Sequence, residues 1–304
     1  MEKSFLSTLF NPENSFFKLA QPAKRIPHIA LSSVLIPLLF IMFGALLYQL
    51  CFVPLVIGDI ESVSPFTREV LTLMIMFLMI ILGVFIWVKL VEKRPFYTLG
   101  FTKNRAFKKY LFGFGTGVLM ISAVVGLMAL SGGIQIQQDS STISGIPSLA
   151  GVLILLLGFI IQGGAEEITT RGWQFQVIGI RYKPWIGALV SSIFFAVLHG
   201  FNKGVSVLAV FNLFLFALLL VLYVMNDGSI WSACGWHSAW NWTMGNVFGL
   251  EVSGTGISAT LFDLETTGHD LITGGSFGPE GSIFSTFVLL TGIILTARNI
   301  KVKN

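Results

Sequence analysis

Glu166 and Glu167 stand side by side near the end of a long apolar stretch, and Arg171 follows four residues after the second of them. A charge at the centre of a membrane helix costs about 2.5–3.5 kcal/mol on insertion scales, so adjacent acids in such a place call for a function. At a spacing of four, Glu167 and Arg171 share a helix face and can pair. Glu166 is turned about 100° away on the same helix and stays free for chemistry. The plain alternative is that the pair has already left the membrane and forms an ordinary salt bridge at a helix end. His199 closes a second apolar stretch. His237 sits inside a third, with Asn241 one helical turn beyond it on the same face. A lone histidine near a helix end is more often a packing residue than a ligand, but these are two of only four in the chain. The others, His28 and His269, lie in the N-terminal segment and in a loop and are given no role.

A carboxylate, two imidazoles and an amide can bind and activate water. The carboxylate takes the proton, and neutral His and Asn orient the water or stabilise the developing oxyanion. The same set suits zinc, with Glu166, His199 and His237 as ligands and water in the open position. The residues leave the choice between these two open. The His-Glu-x-x-His zinc-protease pattern, the Gly-x-Ser-x-Gly elbow and the Walker loop are absent. Cys51 and Cys234 fit no Cys-x-x-Cys pattern and read as two buried apolar thiols.

These groups must be positioned by membrane helices. The chain is 54% hydrophobic and 11% charged, with a mean hydropathy of +0.81, whereas a soluble domain carries about 25% charged residues. Lipid must be the solvent for most of this surface, and the net charge of +4 gives no reason to invoke nucleic acid. A span needs about 20 apolar residues. Eight stretches qualify or nearly do, at roughly 29–56, 70–90, 110–130, 148–170, 185–201, 204–225, 229–248 and 282–299. The fifth is short and the seventh is interrupted by polar residues. The expected fold is all-α and polytopic. Residues 1–28 form a cytoplasmic segment, and 29–304 form a single membrane-embedded domain. No cleaved signal peptide is expected, because no short apolar core with a cleavage site lies near the start.

Lys and Arg set the orientation. With both termini in the cytoplasm of a cell-membrane protein, 19 Lys and Arg divide so that only Arg68 and Lys203 fall outside. The loop at about 249–281 is acidic, rich in Gly, Ser and Thr, and expected to be irregular or re-entrant. At about 1.5 Å per helical residue, a shared site for Glu166, His199 and His237 falls in the cytoplasmic half, with the heights agreeing only loosely. Gly113 and Gly117 suit close helix packing as well as they suit the general frequency of glycine in membrane helices.

Glu-Glu-x-x-x-Arg at 166–171, Phe-x-x-x-His at 195–199 and His-x-x-x-Asn at 237–241, in this order on successive helices, resemble the CPBP family. These are the CAAX prenyl proteases and bacteriocin-processing enzymes, also called Abi, with the Rce1-type proteases as relatives. The segments 97–117 and 271–282 are similar to stretches common in bacterial members. The resemblance implies an intramembrane endopeptidase with an eight-helix core, acting on a peptide or a membrane-anchored protein in the lipid bilayer. Glu166 would be the general base. Glu167 and Arg171 would support the site, and His199, His237 and Asn241 would hold the water or a metal and stabilise the oxyanion. Both a metal-dependent and a metal-free glutamate mechanism fit that resemblance. Two other readings compete. One is a non-catalytic protein of the same fold, acting in bacteriocin self-immunity or as a scaffold, which has no need of a free Glu and two His. The other is a proton-coupled transporter, for which the repeated halves common in such proteins are not visible.

Overall fold

Long apolar runs saturate their backbone hydrogen bonds internally, and in lipid that means helices. The computed structural model describes residues 8–137 and 143–303. Among them, seven helices are long and apolar enough to cross a membrane: α1 (Leu31–Ile57), α2 (Pro65–Leu90), α3 (Ala106–Leu130), α4 (Ile146–Arg181), α5 (Pro184–Phe201), α6 (Val207–Asp227) and α8 (Ile283–Ile300). Their outward sides are apolar and exposed, as at Leu50, Leu119, Leu153, Val197 and Phe287. Cys51 belongs to this outward side of α1 and is exposed, so only Cys234 is the buried thiol expected.

The remaining predicted stretch forms α7, Trp231–Trp242 continued by wider π-type turns over Thr243–Val247. It is too short and too polar to count as a span by itself. Every residue from Ser232 to Asn241 is buried, so α7 has protein rather than lipid around it and can carry serines, a histidine and an asparagine. It lies mainly against α3 and α4. The approach to α3 needs glycine: a Cβ on Gly113 would stand 1.9 Å from the Ser232 carbonyl oxygen, and one on Gly117 2.5 Å from that of Trp236. The even-handed reading of these glycines therefore resolves to close packing.

The helix ends fall into two groups. At one end, β1 (Ile134–Ile136) pairs antiparallel with β4 (Leu264–Thr266), and β2 (Ile143–Ser144) pairs in parallel with β3 (Ala259–Thr260). These short pairs fold the irregular 249–281 loop across the bundle, where Asn202 Nδ2 also donates to the Ser253 carbonyl at 3.0 Å. At the other end, Lys24 N–H donates to the Glu92 carbonyl at 2.9 Å and Ile230 N–H to that of Gly100 at 3.2 Å. The segment before α1 docks there too: Phe16 and Phe17 are buried, and Asn14 Nδ2 donates to the Met225 carbonyl at 2.7 Å. A buried Glu92–Arg94 pair at 2.6 Å closes this end. Burial draws the Arg94 guanidinium below its usual basicity, and Glu92 opposes that shift.

Candidate active site

α4 does not end after the two acids. It runs fifteen residues past Glu166 to Arg181, about 22 Å of helix, through π-type turns over Ile168–Phe175. Such local widening is frequent at functional sites. The plain alternative of a helix-end salt bridge fails here, because Glu167 and Arg171 have no exposed side-chain surface. Arg171 is consequently no cytoplasmic loop charge.

Glu167 is the hub of a buried triad. Its Oε1 accepts from Arg171 Nη1 at 3.0 Å and meets His237 Nδ1 at 2.8 Å. Arg171 Nη1 also donates to Thr170 Oγ1 at 2.6 Å, and its guanidinium lies 4.6 Å from the centre of the Phe195 ring. That contact gives the Phe-x-x-x-His spacing a second use, since the Phe195 carbonyl meets His199 Nδ1 at 2.9 Å. A carbonyl and a carboxylate can only accept, so each neutral imidazole carries its proton on Nδ1 and presents a bare Nε2.

Both bare nitrogens face Glu166. Its Oε2 lies 3.6 Å from His237 Nε2 and 3.9 Å from His199 Nε2, and this buried oxygen has no hydrogen-bond partner within the protein. Its Oε1 accepts from Gln162 Nε2 at 2.7 Å, and Gln162 Oε1 in turn accepts from Asn241 Nδ2 at 3.1 Å. The structure thus brings together all six residues singled out from sequence, and Asn241 meets Gln162 and through it Glu166.

Two site residues escaped the sequence reading. Gln162 is a neutral amide in a membrane stretch, but it precedes Glu166 by four residues, a spacing that could have marked it. Glu280 comes from the loop before α8 and had no helix spacing to betray it. It is buried and lines the same cavity. Trp240 Nε1 donates to its Oε1 at 3.1 Å and Ser253 Oγ to its Oε2 at 2.5 Å. Burial pushes the Glu280 carboxyl up.

The donor set has the chemistry of a zinc site: two Nε2 lone pairs, each with its Nδ1 held from behind, and a carboxylate oxygen. Ligands sharing one zinc at about 2.0–2.1 Å stand about 3.3 Å apart. The 3.6 and 3.9 Å separations are wider, and among the described residues no group of three His, Cys, Asp or Glu is placed to hold one ion. As they stand, the residues do not fit a metal, and no step below passes through one.

The site opens into a cavity of about 820 Å³. It is walled by α2 from Pro65 to Ile80, by α4 and α5, and by the loop from Val252 to Ser258. None of its lining comes from the end of the bundle where the segment before α1 docks. The site lies inside the bundle, with Glu166 about 22 Å of helix from the end of α4 at Arg181.

Residues 147–243 match the family model described as type II CAAX prenyl endopeptidase Rce1-like. The match spans nearly all of α4 to α7, the helices that carry the six motif residues, and it bears out the resemblance to the CPBP and Rce1-type proteases. With seven apolar helices, it makes this a multi-pass membrane protein. No curated protein and no solved structure matches the chain.

Proposed function

We propose that this protein, whose α4 to α7 follow the pattern of the Rce1-like proteases, is an intramembrane endopeptidase that hydrolyses a peptide bond with water activated by Glu166. The observation that carries the reading is the convergence of three lone-pair atoms, Glu166 Oε2 and the two Nε2 nitrogens, at 3.6 and 3.9 Å. These distances are too long for direct hydrogen bonds and suit a bridging water. A water donating one hydrogen to Glu166 and the other to a histidine keeps a lone pair free for attack.

In the first step the water oxygen bonds to the scissile carbonyl carbon and its proton passes to Glu166 Oε2. The oxyanion is stabilised by Asn241, which has one N–H committed to Gln162 and a second left over. In the second step the C–N bond breaks while its nitrogen takes the proton from Glu166, leaving a carboxyl and an amine product. Glu167 fixes the His237 ring, and Arg171 balances the Glu167 charge. A scaffold or immunity protein would leave the convergence without a use.

The test is cleavage by purified protein in detergent of a peptide library with and without a prenylated cysteine, comparing wild type with Glu166→Gln and His237→Ala. Loss of cleavage in both folded variants supports the reading. Cleavage that survives both overturns the site, and a folded wild type that cleaves nothing in the library returns the balance to a non-catalytic role.

A further inference from the structure

The bundle has one strongly basic end and one acidic end. Among the described residues, Arg68 and Lys203 are the only Lys and Arg at the end that carries the 249–281 loop, and Arg68 is paired with Glu61 at 2.7 Å. Among the described residues, the same end holds eight acids, Asp59, Glu61 and Glu69 on the α1–α2 side and five between Glu251 and Glu280. Apart from Arg171, buried in the site, the other described Lys and Arg lie toward the opposite end, around residues 18–25, 89–109 and 181–183 and in the last turns of α8. Lys3 lies outside the described residues and changes nothing in this. Membrane helices are oriented with Lys and Arg on the cytoplasmic side, and acids contribute little to that choice. The basic end is therefore cytoplasmic.

The cavity belongs to the other end. Beyond the catalytic groups, its lining reaches that end at Pro65 and Glu69, Asn202, the Val252–Ser258 segment and Glu280, whereas toward the basic end it stops within the helices, at Ile41, Ile80 and Thr170. Glu69 ties two of these walls together, accepting from the Ser258 N–H at 3.0 Å and from its hydroxyl. Toward the basic end the bundle is filled. Trp173 and Phe175 have no exposed surface, and Phe16 stacks on Phe175 with ring centres 5.8 Å apart while Phe17 meets it edge-on at 5.2 Å.

We propose that the cavity opens on the non-cytoplasmic side, and that its substrate is a polypeptide segment already translocated there, with apolar residues flanking the scissile bond. The apolar preference follows from the α2 wall, where Leu73, Met76, Phe77 and Ile80 line the cavity. The substrate part rests on the peptidase reading, and the sidedness does not.

The test has two arms. In intact cells, single cysteines are placed in a Cys51→Ser background at Gly256→Cys, Asp270→Cys and Lys103→Cys, all exposed positions, and probed with a membrane-impermeant maleimide. Labelling of the first two without permeabilisation, and of the third only after it, supports the proposal; the reverse pattern overturns it whether or not anything is cleaved. In sealed proteoliposomes sorted by the same labels, an impermeant apolar peptide is added outside. Cleavage confined to vesicles with Asp270→Cys outward supports the proposal. Cleavage confined to vesicles with Lys103→Cys outward overturns it while leaving the peptidase reading intact. If neither population cleaves a peptide that the detergent-solubilised enzyme cuts, the substrate half is overturned.

Discussion

Replacing Gln162 by leucine removes a relay without removing a charge. Gln162 is 7% exposed and holds Glu166 Oε1 at 2.7 Å and Asn241 Nδ2 at 3.1 Å. Leucine fills similar volume and offers neither donor nor acceptor. A hydrogen bond to a charged group contributes about 1.5–3 kcal/mol. If that bond aims the base, its loss lowers kcat by about 10- to 150-fold, at a factor of ten per 1.36 kcal/mol. KM should stay within about twofold, because the lost contact orients the base and does not bind the peptide uniformly. The assay is initial-rate cleavage in detergent, with thermal unfolding followed on the same preparation to establish that the variant folds. Asn241→Ala alone and the double variant complete a cycle. If Asn241 acts partly through Gln162, the losses fall short of additive by about 0.5–3 kcal/mol. A folded Gln162→Leu enzyme with wild-type kcat refutes the relay, and fully additive losses refute the link from Asn241 through Gln162.

Glu167→Ala strands the Arg171 guanidinium, which has no exposed surface; breaking such a pair costs about 3–5 kcal/mol, so the midpoint of thermal unfolding in detergent should fall clearly below that of Glu166→Gln. Glu280→Leu removes the acceptor shared by Trp240 and Ser253, leaving buried donors at about 1–3 kcal/mol each; faster hydrogen exchange over 250–258, restored toward wild type in Glu280→Gln, is the expected signature of a carboxyl that pins the loop to α7. Prolonged incubation with a strong chelator should leave cleavage unchanged, since the Glu166–histidine separations are wider than one zinc ion holds; loss of activity restored by added zinc would show that the ligands close on a metal in use.

Much of the fold was legible because lipid makes a severe demand: apolar length alone identifies helices, and seven of the eight predicted stretches became helices able to span. The seventh stretch was legible as a helix but not as what it does. Its polar residues looked like interruptions to a span, whereas α7 is buried among other helices and needs no apolar exterior. At the site, pairs at a spacing of four were readable from helix geometry alone, and Glu167–Arg171 is one of them. The Gln162–Glu166 contact obeys the same geometry, but a neutral amide carries no charge to mark it in an apolar stretch. Glu280 was out of reach, since its place depends on a loop crossing the bundle, and no local period predicts where such a loop lands. Helix rise gives height only when the end of the helix is known, and the π-type turns after Glu167 carried α4 well past the point where hydropathy ended it.

The same triad explains how a membrane bundle tolerates these charges. Glu167 and Arg171 cancel in net charge at 3.0 Å, and His237 Nδ1 makes a second contact to the same Glu167 oxygen at 2.8 Å. Neither charged member reaches lipid, because α4 is enclosed there and Phe195 covers the guanidinium. Glu166 is the exception: 21% of its side chain is exposed, and the exposure is to the cavity it lines. An acid that structure alone required would have been paired or placed out of the way. One that lines the cavity, with its Oε1 held by Gln162 and its buried Oε2 unpaired between two imidazoles, is arranged as a base must be, and the paired charges around it are what keep that arrangement in place.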